Sequence, residues 1–309
     1  VRCTSPYTVG FKADGTTLSW SPKTHCMEYA LFQLPCGKCI ECRLEYARQW
    51  AVRCIHEAQM YEKNAFITLT YSDEHLKSEK LVYSDFQKFM KRLRKLQNEP
   101  IGFFVTGEYG DKTKRPHWHA IVFNWEPSDK KLFRTNERGD EIYKSQTLER
   151  VWGKGHAELG SVTFESAGYC ARYAAKKLVH GRDGTHDFSP ISKKSSKHAI
   201  GKKWLEMYFT DVFSYGKCIL RDGTETSIPR YYEKWLKDKH PEYWWRYVTE
   251  VKSKITETAS VKSEATKQEW VDRAMRRLET GHSRPRTEKE IRKIISEEKL
   301  KQLNERLKL

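Results

Sequence analysis

Apolar residues recur at Leu44, Ala47, Ala51, Cys54, Ile55, Ala58 and Tyr61, the spacing of one helix face, and this predicts an amphipathic helix from Glu41 to Tyr61. Residues 65–71 (AFITLTY) are rich in β-formers and closed by Ser72-Asp73, which predicts a strand. Ser84 with Gln87 reads as a capping box ahead of Phe86, Phe89, Met90, Leu93 and Leu96, a second helix that should end near Asn98-Glu99-Pro100. Ile101 to Tyr109 and Pro116 to Trp125 read as two strands of a hairpin around the polar loop 110–115. After a polar insertion over residues 126–160, Ser161 to Glu165 reads as a strand and Ser166 as the cap of a helix running to Val179. An antiparallel sheet with helices on one face is expected, hence an α+β domain.

Residues 189–204 (SPISKKSSKHAIGKKW) are rich in Ser and Lys, which suits a phosphate-binding loop and is also compatible with simple solvation. Asp222-Gly223 marks a hairpin turn between Lys217–Ile219 and Thr226–Ile228, before an aromatic stretch from Arg230 to Tyr247. From Val251 the chain is Lys/Glu-rich and helical, with Thr287 and Glu290 as a capping box before Ile291, Ile294, Ile295, Leu303 and Leu307. No internal repeat is evident. The expected organisation is a Cys-rich segment over 1–43, an α+β domain over 44–188, a basic loop and aromatic subdomain over 189–250, and a charged helical tail over 251–309.

Charge narrows the class of partner. The 309 residues carry 57 Lys and Arg against 41 Asp and Glu, a formal charge of +16 that favours a polyanion, with nucleic acid the first candidate. Aromatic residues at 13% suit base stacking as well as a core. No run approaches the roughly 18 to 20 apolar residues of a membrane span, and the first residues show no signal-peptide pattern, so no membrane partner and a cytosolic location are expected. Five of the eight cysteines fall before residue 43, three of them as Cys36-x-x-Cys39-x-x-Cys42. With Cys3, or with Cys26 in its place, they form a candidate structural Zn²⁺ site; the same thiols are equally compatible with reduced packing around the first helix.

In the strand Pro116-His117-Trp118-His119, the two histidines are two residues apart and project from one face, about 7 Å apart along the chain. A loop centred between Lys112 and Thr113 sets Glu108 opposite His117, and cross-strand neighbours lie about 5 Å apart. Glu108, His117 and His119 then offer one oxygen and two nitrogens with positions left open, which suits Mg²⁺ or Mn²⁺ holding a phosphate. Surface histidines beside a loop would give the same local pattern.

The nucleophile must come from elsewhere. Tyr169 and Tyr173 are four apart on the helix after Ser166, and each has a cation three residues later, Arg172 and Lys176. Those cations can stabilise a phenolate or transition-state charge, since a free tyrosine has a pKa of about 10. Attack on a phosphodiester would leave a covalent phosphotyrosine. Packing into the core is the competing role for such a pair.

The metal hairpin followed by the tyrosine helix resembles the HUH endonucleases, and nearly the whole chain resembles the replication initiators of gokushoviruses, single-stranded DNA phages of the microvirus group. The residues that carry the resemblance are PCGKCIECRLEYARQWAVRC, FITLTY, GEYG with RPHWHAIVF, and YCARYAAKK. It implies an HUH-type antiparallel sheet flanked by helices, with His117 and His119 as metal ligands, Glu108 in the third-ligand position and Tyr169 and Tyr173 as the motif-three tyrosines. The cationic position between the tyrosines, often Lys in that family, is Arg172 here. The implied activity is rolling-circle initiation in the cytoplasm of an infected bacterium: origin DNA is nicked, the protein stays on the 5′ phosphate, a 3′ hydroxyl is left for the host polymerase and helicase, and the displaced single strand is later rejoined. Two other classes compete, a non-enzymatic zinc DNA-binding protein and a metal-dependent nuclease that hydrolyses DNA with water and needs no tyrosine.

Overall fold

The computed structural model describes residues 3–76, 80–110, 115–176, 191–195, 199–281 and 286–306. They divide into two compact units, residues 1–45 with 256–308 and residues 46–255. In the smaller unit β1 (Tyr7–Phe11) pairs antiparallel with both β2 (Leu18–Ser19) and β3 (Phe32–Leu34). Helix α1 (Ile40–Ala58) follows, as its apolar spacing predicts.

The larger unit is built on a sheet of β4 (Asn64–Tyr71), β5 (Gly102–Tyr109), β6 (Pro116–Phe123), β7 (Lys131–Thr135), β8 (Glu141–Lys144), β9 (Gly155–Gly160) and β10 (Ile191–Lys194). The order is β10-β5-β6-β4-β9-β8-β7 and every pair is antiparallel. Strand alternation sends Ile67, Leu69, Val105, Trp118 and Ala120 to one face. There they pack with Phe86, Phe89, Met90 and Leu93 of α2 (Tyr83–Leu93) and Leu148, Val151 and Trp152 of α3 (Gln146–Trp152). The opposite face carries Phe66, Phe104, Thr68, Thr106, Glu108, His117 and His119. It is covered by α4 (Phe164–Lys176), whose Tyr169 meets Phe66 edge-on, and by Trp50 of α1, which stacks on Phe104 at 5.2 Å.

Helices therefore lie on both faces, not on one, because Phe66, Phe104, Ile121 and Phe123 make the second face apolar too. The expected polar insertion 126–160 is itself structured, holding β7, β8, α3 and β9. Helix α3 has the local signals of a short helix: the Ser145 hydroxyl accepts from the Leu148 N–H, and Gly153 closes it at φ 60°. The strand assigned to Ser161–Glu165 is really β9, Gly155–Gly160. Gly155 sits at φ +138° with the Ser72 nitrogen 2.3 Å from where a Cβ would be, so only glycine lets β9 start against the end of β4.

Helix caps differ from expectation twice. Ser166 is not the cap of α4 but its third residue, the far end of a capping box whose cap is Thr163, each hydroxyl accepting from the other's N–H at 2.9 and 3.1 Å. Ser84 lies inside α2, which starts at Tyr83 behind Val82, a residue with no side chain able to cap it. The predicted end of α4 at Val179 lies outside the described residues. Part of the Ser/Lys-rich segment is the edge strand β10 rather than loop.

A second core in this unit joins Trp204, Leu205, Val212 and Phe213 of α5 (Lys202–Tyr215) to Tyr232, Trp235 and Leu236 of α6 (Arg230–Lys239) and to Tyr247, beyond α7 (Pro241–Arg246). The predicted hairpin is present as β11 (Cys218–Ile219) paired with β12 (Glu225–Thr226), with Gly223 at φ +80° in the turn. Past a π-helical turn at Tyr247–Lys252, α8 (Ser253–Glu279) runs into the smaller unit. It is followed by α9 (Glu288–Arg306), capped by Thr287 and Glu290 as predicted. In α9, Ser296 is buried with its hydroxyl on Arg292 and Glu41, while Ile294 and Ile295 are exposed; the side chain of Leu303 and residue Leu307 lie outside the described residues. No helix among the described residues is long and apolar enough to cross a membrane.

Candidate functional site

Glu108 pairs with His117 across the β5–β6 hairpin, the register that centring the loop between Lys112 and Thr113 predicts. One carboxylate oxygen of Glu108 lies 2.8 Å from His117 Nε2 and 2.7 Å from His119 Nε2. The ligand atoms of Glu108, His117 and His119 all fall within 4.8 Å of one another, so the three can hold one metal ion. Burial pushes the Glu108 carboxyl up, but the charges and hydrogen bonds of the two imidazoles outweigh it and hold it at about 2. Burial lowers His119, against the opposing pull of Glu108.

The remaining ring nitrogens are anchored. His117 Nδ1 donates to the Arg115 carbonyl at 3.1 Å, and His119 Nδ1 is 3.0 Å from the Thr68 hydroxyl. A carbonyl and a carboxylate are both acceptors, so a neutral His117 cannot donate to both; a protonated ring, or a cation held by Nε2 and Glu108, would satisfy both. The second Glu108 oxygen, Oε2, is buried with no hydrogen-bond partner among the described residues. An unpaired buried carboxylate oxygen beside two imidazole lone pairs is a donor set that fits a divalent cation.

Thr68 carries no signal of its own within FITLTY. Its role follows from pairing, because β4 puts Thr68 directly beside His119.

Tyr169 projects from α4 into this cluster. Its hydroxyl donates to the same Glu108 oxygen at 2.9 Å and lies 3.4 Å from His119 Nε2, and its ring meets that of His119 edge-on at 4.9 Å. The phenol is almost fully buried. Arg172 is half-buried and lies back along α4, its Nη1 3.5 Å from where a Gly168 Cβ would be. Tyr173 and Lys176 are in α4, one turn on from Tyr169 and Arg172, but their side chains lie outside the described residues.

A second donor set occupies the smaller unit. The sulfurs of Cys3, Cys36, Cys39 and Cys42 lie within 4.8 Å of one another, with Cys3 and not Cys26 completing the group. The Cys36 sulfur accepts the N–H groups of Lys38 and Cys39 at 3.4 and 3.3 Å across a turn whose Gly37 has φ +73°, and Cys3 accepts the Cys36 N–H at 3.3 Å. Burial opposes ionisation of Cys39, yet hydrogen bonds from Cys42 and Thr4 hold it down to about 6; burial raises Cys3 and Cys42. Four converging thiols in this form suit a metal ion.

The family model of the ORF2 type of replication-associated protein matches residues 64–178, the segment that holds β4 to β9, the Glu-His-His cluster and the tyrosine helix. The chain is 46% identical to replication-associated protein VP4 of Bdellovibrio phage phiMH2K over the whole of both chains. It is 34% identical to replication-associated protein ORF4 of Chlamydia phage 1, over 69% of this chain and 56% of that one. Against replication-associated protein ORF2 of Spiroplasma virus 4 the identity is 32%, over 72% and 73% of the two chains. No solved structure matches.

Proposed function

The chain belongs to the family of phage replication-associated proteins, and from that premise we propose that it nicks and rejoins single-stranded DNA at a replication origin through a phosphotyrosine intermediate. The observation that supports this reading is the Tyr169 hydroxyl, 2.9 Å from the carboxylate that also joins both histidines. A phenol inside a metal-ligand set has a role as nucleophile that a core tyrosine lacks.

Tyr169 Oη attacks the scissile phosphorus as the P–O3′ bond breaks; the phenolic proton is lost and the departing 3′ oxygen takes one up. A divalent ion held by Glu108, His117 and His119, Mg²⁺ or Mn²⁺ by its oxygen and imidazole ligands, would polarise the phosphate and fix its orientation. Thr68 and the Arg115 carbonyl hold the two rings so that both Nε2 atoms face the Glu108 carboxylate, where they would share the ion. Arg172 and Lys176 supply positive charge beside the tyrosines, and Tyr173 acts as a second nucleophile when the cycle closes. One phosphodiester replaces another, so reversal rejoins the strand without ATP. The free 3′ hydroxyl primes the host polymerase, with host helicase separating strands, in the cytoplasm of the infected bacterium. Cys3, Cys36, Cys39 and Cys42 would hold a structural Zn²⁺, which would tie the segment before β1 to the start of α1.

The test is a denaturing gel of the full chain incubated with Mn²⁺ and labelled single-stranded oligonucleotides tiled across its genome. A denaturation-resistant protein–DNA adduct, absent from the Tyr169→Phe/Tyr173→Phe double variant, is expected. Cleavage without an adduct would replace this reading with hydrolysis by water.

A further inference from the structure

Two cations converge on one indole on the face of the sheet that carries Glu108, His117 and His119. The Arg53 guanidinium carbon lies 4.2 Å, and Lys194 Nζ 4.5 Å, from the centroid of the Trp50 ring. Phe104 stacks on that ring at 5.2 Å, and Arg53 lies also over Tyr231 at 4.0 Å. Arg53 is held in place by its Nε donating to the Ile200 carbonyl at 3.0 Å. Tyr46, 38% exposed, stands edge-on to Trp50 at 6.3 Å and forms the outer rim.

Like charges gathered in a half-buried place are unfavourable unless an anion joins them. Among the described residues neither Arg53 nor Lys194 makes an ion pair. The acid whose charge reaches Arg53 is Glu57, one turn along α1, and its carboxylate is committed to the Gly201 N–H at 2.7 Å. Burial, and then the charge of Arg53, draw the Lys194 ammonium below its ordinary range. Aromatic surfaces fix both cations, and with Glu57 as the one acid named beside Arg53 the pair keeps a net positive charge among the described residues.

Pairing of β10 with β5 sets Lys194 opposite Phe104, which shares a strand face with Thr106 and Glu108. Four residues of strand separate Phe104 from Glu108, roughly 13 Å. That span lies within the footprint of a strand-binding surface of about 4 to 16 nucleotides.

We propose that Arg53 and Lys194, seated on Trp50, bind a backbone phosphate of the DNA strand away from the scissile one, with Tyr46 offering a face to the adjoining base. The assignment rests on the DNA-nicking reading and adds to it a substrate-anchoring subsite that makes no contact with the reacting atoms. A phosphate contact carries no sequence information, so its effect should be the same on unrelated sequences.

The experiment is fluorescence anisotropy of the full chain with two unrelated labelled single-stranded oligonucleotides, in the absence of metal, over a salt series. Lys194→Ala should weaken both complexes equally and reduce the slope of log K against log salt by about 1, while Lys194→Arg restores the slope. Arg53 is buried and serves poorly for substitution; circular dichroism of the Lys194 variants confirms that they are folded. An unchanged slope in folded Lys194→Ala overturns the subsite and leaves the nicking reading standing. Absence of DNA binding by the unsubstituted chain overturns both.

Discussion

The Tyr169 hydroxyl and Glu108 are 2.9 Å apart, so the carboxylate that both histidines share also fixes the phenol. Ending a replication round needs a second cleavage while the first tyrosine is still esterified, and Tyr173 stands one helical turn on from Tyr169. Tyr169→Phe and Tyr173→Phe should each still form an adduct with a single-stranded origin oligonucleotide, and neither should release circles repeatedly. Loss of all adduct in one single variant would reduce the mechanism to one nucleophile.

Thr68 should behave as a positioning residue. Removing its hydroxyl in Thr68→Val frees the His119 ring, and the Mn²⁺ concentration for half-maximal cleavage should rise about 10- to 100-fold, with metal-free DNA binding unchanged. His119→Ala, which removes a ligand outright, should abolish cleavage and also leave that binding intact. An unaltered Mn²⁺ requirement in Thr68→Val would show that the ring is oriented by packing alone.

Chain purified without chelator should carry about one zinc ion, and Cys39→Ser should lose it and melt at lower temperature. Elemental analysis is the check. Folded, zinc-free protein would mean that the four thiols simply pack reduced.

His56 gives a pH dependence with a definite sign. Its ring stacks on Trp204 at 3.5 Å and its Nδ1 meets the Tyr232 hydroxyl at 2.9 Å, and burial holds its pKa at about 3. The unfolded chain takes up this proton below about pH 6.5, whereas the folded one does not until about 3. Stability contributed by neutral His56 is thus complete above pH 6.5 and falls by about 1.4 kcal/mol per pH unit between those limits. Denaturant melts at pH 7.5 and 5.0 should show the loss, and His56→Gln, less stable at pH 7.5, should show a flatter profile.

Most of the Glu-His-His hairpin is legible in the sequence, because the alternation of β5 and β6 and a loop of even length are enough to pair Glu108 with His117. The Cys cluster is legible from spacing, although the choice of Cys3 over Cys26 needs the path of β1. What lies between residues 126 and 160 is not legible. There β7 is wholly exposed and α3 has only seven residues, so neither gives a long apolar period, and the signals at Ser145 and Gly153 are local. Thr68 is invisible for another reason: its function exists only through the neighbouring strand. The tryptophans offer both core and stacking roles, and Trp118, Trp152, Trp204 and Trp235 go to the core.

Side-chain alternation makes the β5–β6 hairpin behave like a reading frame. Deleting one residue between Gly102 and Glu108 would turn the carboxylate away from His117 and His119 and bury it among Trp118 and Leu69, whereas the histidines would stay where they are. Deleting two would restore the face but displace the oxygen by about 7 Å, too far to share an ion. Length changes are therefore tolerated only beyond the paired segments, and tags or domain insertions belong between residues 110 and 115, where added chain leaves the frame in phase.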